Sequence, residues 1–335
     1  MSTPSSVADA GEHALIALIR ARVPPAPAWV AVGLGDDAAV VAPARNTLDV
    51  FTTDALVEGV HFDRRFTPPA AIGHRALAVN LSDLAAMGAT PRVALLSLVL
   101  PPSLSVADLT AMLDGLLALA AAHGVALVGG NITRSPGPLM VDVTAVGAVR
   151  PRRVLTRAGA RAGDDVWVSG AIGAASAGLA SLASGGTADP DLAACEAAFL
   201  TPQPRLRLGM LLGRNRAATA CVDLSDGLAD GLHQLAQASG AGFDIDAGRL
   251  PVPEAARAWF LASGRDPILA ALTGGDDYEL LFTVSPRKRR RLDTVRRQAG
   301  AVPLTRIGTV VRPPGVRLDR DGVQTPIPPG YEHFQ

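Results

Sequence analysis

Short apolar runs alternate with amphipathic stretches along this chain, and the breaks between them carry its polar chemistry. Residues 12–23 place apolar side chains at helical spacing and stop at Pro24–Pro25, which predicts a helix. Residues 38–41 and 48–51 are apolar runs of strand length, the first stopped by Pro43. Paired as a hairpin through 42–47, they would bring Asp36 and Asp37 beside Thr52, Thr53 and Asp54 at their outer ends. After Pro68–Pro69 a helix is expected to end near Gly88, with Asn80, Asp83 and Met87 on one face. Residues 93–100 read as an apolar strand, Ser105 as the cap of a helix reaching Ala122, and 125–128 as a strand opening into Gly129, Gly130 and Asn131. Residues 140–149 alternate as a further strand.

The arginine- and glycine-rich stretch 151–165 breaks this pattern, so two domains are expected, 1–152 and 153–335. Beyond it a strand at 166–168 leads into SGAIGA and a small-residue helix ending near Ala183. Helices follow at 192–200 and 205–213, and a strand at 218–222 ends in DLSDGLADG before a helix to Ala238. GGDDYE precedes a strand at 280–284, with weaker strands at 304–310 and 316–318. Both halves mix strands and helices, giving an α/β (mixed α+β) class.

Composition narrows the function. The chain has 335 residues, 48% of them apolar, and a formal net charge of zero, so neither nucleic acid nor a membrane surface is the expected partner. Apolar runs break well short of the ~18 residues of a bilayer span. The first residues also lack the basic-then-apolar pattern of a secretory leader, so a cytoplasmic protein is expected. Cys195 and Cys221 stand among small and apolar residues and read as buried thiols. Lys288 is the single lysine, which removes the phosphate-binding lysines of P-loop enzymes and protein kinases. Any phosphate chemistry must then rest on arginine and metal ions.

The candidate site is acidic. Asp36, Asp37, Asp54, Asp83, Asp223, Asp226, Asp276 and Asp277 all stand where apolar segments end, mostly beside Gly, Ser or Thr. Two bare carboxylates ~4 Å apart repel by roughly 4 kcal/mol at an effective dielectric of about 20, so such a cluster needs a cation or must splay into water. Oxygen donors without His/Cys ligand spacing select Mg²⁺ or Mn²⁺. The run GLGDDA at 33–38 matches a loose dinucleotide fingerprint but leads into a β-type run, not the helix that would meet a pyrophosphate. SGAIGA reads as a tight turn, and the basic run 287–297 as a solvated helix face.

Eight ordered motifs between Gly35 and Phe334 carry a resemblance: GDDAAVV, FTTDALVEGVHF, NLSDLAAMGATP, GGNITRSPG, TRAGARAGDD, VDLSDGL, GGDDYELLF and GYEHF. Together they resemble thiamine-monophosphate kinase, within the wider group that includes aminoimidazole ribonucleotide synthetase and selenophosphate synthetase. The resemblance implies a two-domain aminoimidazole ribonucleotide synthetase-like fold whose N-terminal domains dimerise through their sheets, with ATP in a cleft between domains. It implies ATP-dependent, magnesium-assisted phosphorylation of thiamine monophosphate to thiamine diphosphate. By motif position Asp37, Thr52, Thr53, Asp54, Asp83, Asp223 and Asp226 look like Mg²⁺ ligands, with Asp54, Asp223 and Asp226 at the catalytic centre. Gly130, Arg157 and Ser225 look like ATP contacts, and His61, Asp276 and Tyr331 like the thiamine-monophosphate side. Where the family has GGD this chain has Gly129-Gly130-Asn131, an uncharged oxygen ligand at a metal position; where it has GGED, Asp276 keeps the acid one methylene shorter. Alternative readings are another ATP-dependent enzyme of the same group, or a nucleotide-binding homologue without catalysis, motivated by Asn131.

Overall fold

A computed structural model describes residues 5–330, which form two compact units, one of residues 5–84 and 90–149, the other of 85–89 and 150–330.

The first unit opens with helices α1 (Val7–Ala10) and α2 (Glu12–Arg22), then strands β1 (Val30–Val32), β2 (Val40–Val41) and β3 (Leu48–Val57). Helix α3 (Pro69–Ala86), strand β4 (Thr90–Leu100), helix α4 (Val106–His123) and strands β5 (Ala126–Arg134) and β6 (Met140–Val149) complete it. Ser6 caps α1 through a reciprocal box with Asp9, and Arg22 reaches Asp114 of α4 at 2.8 Å. The order β3-β6-β4-β5 makes a four-stranded sheet. β3 and β6 pair antiparallel over ten positions, from Leu48 opposite Val149 to Val57 opposite Met140. One sheet face is buried: Leu96, Leu98, Val141, Val143 and Ala145 all point to it. The other stays open, with Phe51 71% and Leu95 40% exposed. α3 and α4 meet backbone to backbone, since a methyl on Gly73 would overlap the Met112 carbonyl and one on Gly115 the Ala70 carbonyl. Helix α4 is long and apolar enough, by length and composition, to cross a membrane. Here Leu109, Met112, Leu113, Leu116 and Leu119 are buried within the unit.

Three expectations need correction. No hairpin joins 38–41 to 48–51: β2 pairs with β1, and β3 pairs with β6. Nor do Thr52, Thr53 and Asp54 end a strand, because β3 runs on to Val57. Of the three only Thr53 faces the open side; Thr52 and Asp54 face α3, where the Thr52 hydroxyl finds the Asp83 carboxylate, and ladder pairing with β6 carries the strand through. Likewise β5 continues through Gly129, Gly130 and Asn131, paired to β4.

The second unit is built on a seven-stranded sheet. Its elements are β7 (Asp165–Ser169), α5 (Ala174–Ala183), α6 (Pro190–Leu200), α7 (Leu206–Asn215), β8 (Ala220–Asp223), α8 (Leu228–Ser239) and β9 (Gly242–Asp246). Then come α9 (Glu254–Ala262), α10 (Pro267–Thr273), β10 (Leu280–Val284), α11 (Arg289–Ala299), β11 (Leu304–Val311), β12 (Val316–Arg320) and β13 (Val323–Pro326). The strand order is β13-β12-β9-β11-β7-β10-β8, antiparallel throughout except for β12 beside β9. Val166, Val168, Phe243, Ile245, Phe260, Leu281 and Ile307 are among its core. Cys195 and Cys221 are both buried, and burial pushes each thiol above its ordinary range. The helix at 287–297 is present as α11, its arginines outward and Leu292 and Val295 inward.

Candidate active site

Each unit carries its own set of acidic and hydroxyl groups, and each set is positioned differently.

In the first unit strand alternation decides which groups meet. Thr52 and Thr53 are neighbours and so face opposite sides of the sheet. The Thr52 hydroxyl donates to the carboxylate of Asp83, on α3. Asp54, two residues along β3, shares that face with Thr52. On the open face, Thr53 Oγ1 lies 3.0 Å from the Thr144 hydroxyl and 3.3 Å from Asp142 Oδ1. Asp142 and Thr144 line a cleft of about 830 Å³ together with Asn131, Gly130, Asp36 and Asp37. Asp36 and Asp37 belong to the loop between β1 and β2, and the Asp37 N–H donates to Asp36 Oδ1 at 2.9 Å. Ile16 and Arg20 of α2 also line the cleft. Asn131 stands opposite Ser97, which stands opposite Asp142, so the three form one row across the sheet. Gly130 is dictated by packing, because a methyl there would overlap the Leu96 carbonyl oxygen. His61 sits in the turn after β3, its ring held by the Val57 N–H donating to Nδ1 at 3.1 Å.

In the second unit two loops make the site. The DLSD segment leaves β8 at Asp223, and the GGDDYE segment enters β10 opposite it, with Leu280 across from Asp223. Between them the Asp276 N–H donates to the Ser225 carbonyl at 2.7 Å, the Tyr278 N–H to the Leu224 carbonyl, and the Leu224 N–H to the Glu279 carbonyl. Gly227, with φ +92, lies so close to the Gly274 carbonyl that no side chain fits. Ser225 Oγ donates to Asp226 at 3.0 Å. Asp226 also acts on Asp230, in the first turn of α8. Burial first and the Asp226 charge second raise the Asp230 carboxyl, against Gln234 and Arg157, which lower it. Gly330 packs on Asp230 and the Asp226 carbonyl. Tyr331 lies outside the described residues. The exposed Arg157 is anchored through its carbonyl, which accepts from Ser239. Asp277 turns inward to cap α5, accepting from the Gly173 N–H at 2.8 Å, and burial holds its carboxyl well above the usual range.

Two groups escaped the reading of the sequence. Asp142 and Thr144 were signalled only by alternation within VDVTAVG, where both fall on one face. The half-buried Arg205 pairs with the buried Glu279 across 74 residues of chain, for which no local signal exists.

Among the described residues no three His, Cys, Asp or Glu side chains stand together closely enough to ligate one ion. The donors are nonetheless hard oxygens, and Mg²⁺ takes one or two carboxylates at a time, filling its shell with water and phosphate. Asp83 with Thr52, Asp142 with Thr53 and Thr144, and Asp226 with Ser225 each fit that pattern.

Two family models match the chain: the N-terminal domain of AIR synthase related proteins over residues 35–149, and their C-terminal domain over 161–321. The thiamine-monophosphate kinase of Synechococcus elongatus is 38% identical, over 98% of each chain. The solved thiamine-monophosphate kinase of Stenotrophomonas maltophilia superposes with a TM-score of 0.80 at 39% identity, covering 92% of this chain and 96% of its own. A structure of AaThiL complexed with AMPPCP and TMP gives 0.77 at 34% identity, covering 99% and 100%. Likeness of this extent, reaching both units, places the chain in the thiamine-monophosphate kinase family, among the AIR synthase related proteins.

Proposed function

We propose that this protein transfers the γ-phosphoryl group of ATP to thiamine monophosphate, giving thiamine diphosphate and ADP. The observation that carries the reading is the likeness, over 99% of the chain, to a protein seen with AMPPCP and TMP together. The chemistry of the residues agrees with it. A phosphate monoester is largely ionised at pH 7, since its second pKa is about 6, so the acceptor needs no general base. Catalysis then reduces to holding two anions in line and offsetting their charge. Lys288 is committed elsewhere, its Nζ donating to the Ala218 carbonyl at 3.3 Å. When bound, Mg²⁺ supplies the charge neutralisation that lysine gives other kinases.

Asp37, Thr52, Thr53, Asp54, Asp83, Asp223 and Asp226 would hold the ions, with Asp54, Asp223 and Asp226 central. Asn131 contributes an uncharged oxygen, and Asp142 in its row supplies the carboxylate that position lacks. Gly130, Arg157 and Ser225 serve ATP; His61, Asp276 and Tyr331 serve thiamine monophosphate. The open face of the four-stranded sheet, with Phe51 and Leu95 outward, suits pairing of two copies into a homodimer. A cytoplasmic location completes the proposal. The test is ATP plus thiamine monophosphate with and without Mg²⁺: metal-dependent thiamine diphosphate supports the reading, and its absence in both defeats it. Formation of ADP without thiamine diphosphate would favour another enzyme of the AIR synthase group.

A further inference from the structure

The GGDDYE segment is held in a shape it would not adopt alone. Asp276 and Tyr278 both have left-handed backbones, φ +67 and +48, a region that side-chain-bearing residues enter at a cost, least often bulky ones. Such conformations persist only where the surroundings over-determine them. The Tyr278 hydroxyl lies 3.1 Å from Asp276 Oδ1, so the two strained residues also face each other.

The over-determination comes from the next residue. Glu279 is 4% exposed, and its carboxylate takes two hydrogen bonds from the Arg205 guanidinium, Nε donating at 2.6 Å. It takes a third from Ser169 Oγ at 2.5 Å, while that hydroxyl accepts the Leu280 N–H at 2.9 Å. Ser169 ends β7 and Arg205 precedes α7, so one carboxylate ties the root of the loop to two elements distant in sequence. Gly170 leaves no room for a side chain beside that carboxylate. The Glu279 backbone carbonyl accepts the Leu224 N–H, extending the tie to the DLSD segment.

We infer that the Arg205–Glu279 pair is a positioning device for the acceptor side of the site: it holds Asp276 and Tyr278 in their left-handed conformations and so sets the affinity for thiamine monophosphate. This rests on the assignment of Asp276 to that substrate. Glu279 does not touch the substrate; it acts through Asp276. A two-pronged guanidinium–carboxylate contact fixes orientation as well as distance, which a lysine would not.

The test is Glu279→Gln in the full chain, with Arg205→Lys as a second variant should the first not fold. The KM for thiamine monophosphate is expected to rise about tenfold or more while that for ATP stays within about twofold, the pattern of lost ground-state binding. KM values that both hold, both rise together, or rise for ATP alone would overturn the inference. A second readout needs no turnover. Tyr278 and Tyr331 are the only tyrosines, so 3-fluorotyrosine NMR, with Tyr331→Phe for assignment, reports Tyr278 directly. In either variant its line is expected to shift or broaden well below the melting temperature; an unchanged line overturns the inference. Turnover by the wild-type chain decides the proposed function separately, and the NMR result stands whichever way that falls.

Discussion

The two units place their acids by opposite means. In the first, Thr52, Thr53, Asp54, Asp142 and Thr144 ride on regular strands, and ten ladder pairs between β3 and β6 fix each side chain's face. In the second, Asp226 and Asp276 hang on irregular loops that need glycines without room for a side chain, left-handed residues and an ion pair to a buried carboxylate. A sheet positions functional groups as a by-product of being a sheet. A loop must be anchored from elsewhere, and the anchors become as sensitive as the groups they hold.

This contrast can be broken by mutation. The largest expected effect is on turnover. Asp54→Asn and Asp223→Asn should each lower thiamine diphosphate formation by about 10²–10³-fold, the scale of losing one charge-stabilising group. Circular dichroism melts should leave the Asp54 variant near the wild type, because its strand is held by the ladder; a collapse of that fold would erase the distinction between units. Next comes Arg205→Met, which strands a buried carboxylate and should cost about 3–5 kcal/mol in urea unfolding. A loss below about 1 kcal/mol, the worth of an exposed pair, would mean the loop needs no anchor. Gly130→Ala forces a methyl onto the Leu96 carbonyl and should cost about 1–3 kcal/mol, testing whether the sheet also depends on a glycine.

The smallest effect is a control at a distance from the loops. Asp266 caps α10 and pairs with Arg320 at 2.6 Å, and the Arg320 hydrogen bond, first among its causes, lowers its carboxyl. A lowered folded value means the stabilisation is present above the ordinary carboxylate range near ~3.9 and fades as pH falls through the folded value. Asp266→Asn keeps a capping side chain but loses the exposed pair, so it should cost less than about 1 kcal/mol at pH 7, and the gap from wild type should close as pH falls through the folded value. Activity at pH 7 should not change.

Much of this was readable in the residues. Helix α2, the strands 140–149 and 280–284, and α11 follow from periodicity alone, because each has a clean apolar face or run. β9 and β13 were missed: GFDID carries two aspartates, and VQTP is a fully exposed edge that no apolar pattern marks. Polarity at Thr52–Asp54 looks like the end of β3, yet only Thr53 faces the open side, while Thr52 and Asp54 turn toward α3 and its Asp83. For the site, the motifs pointed to acids in both units but not to Asp142. They could not say that Thr52 and Thr53 part company, which only the strand assignment reveals. The Arg205–Glu279 pair was beyond reach because its two halves share no segment.

The long register between β3 and β6 also constrains how this protein can change over time. Removing one residue inside β3 would turn every later side chain of that strand to the other surface, sending Asp54 to the open side and Ala55 toward α3. Length changes there are tolerable only in pairs. Drift in the chain's odd-or-even spacing is thus filtered far more strictly on this strand than in the loop at 42–47 that precedes it.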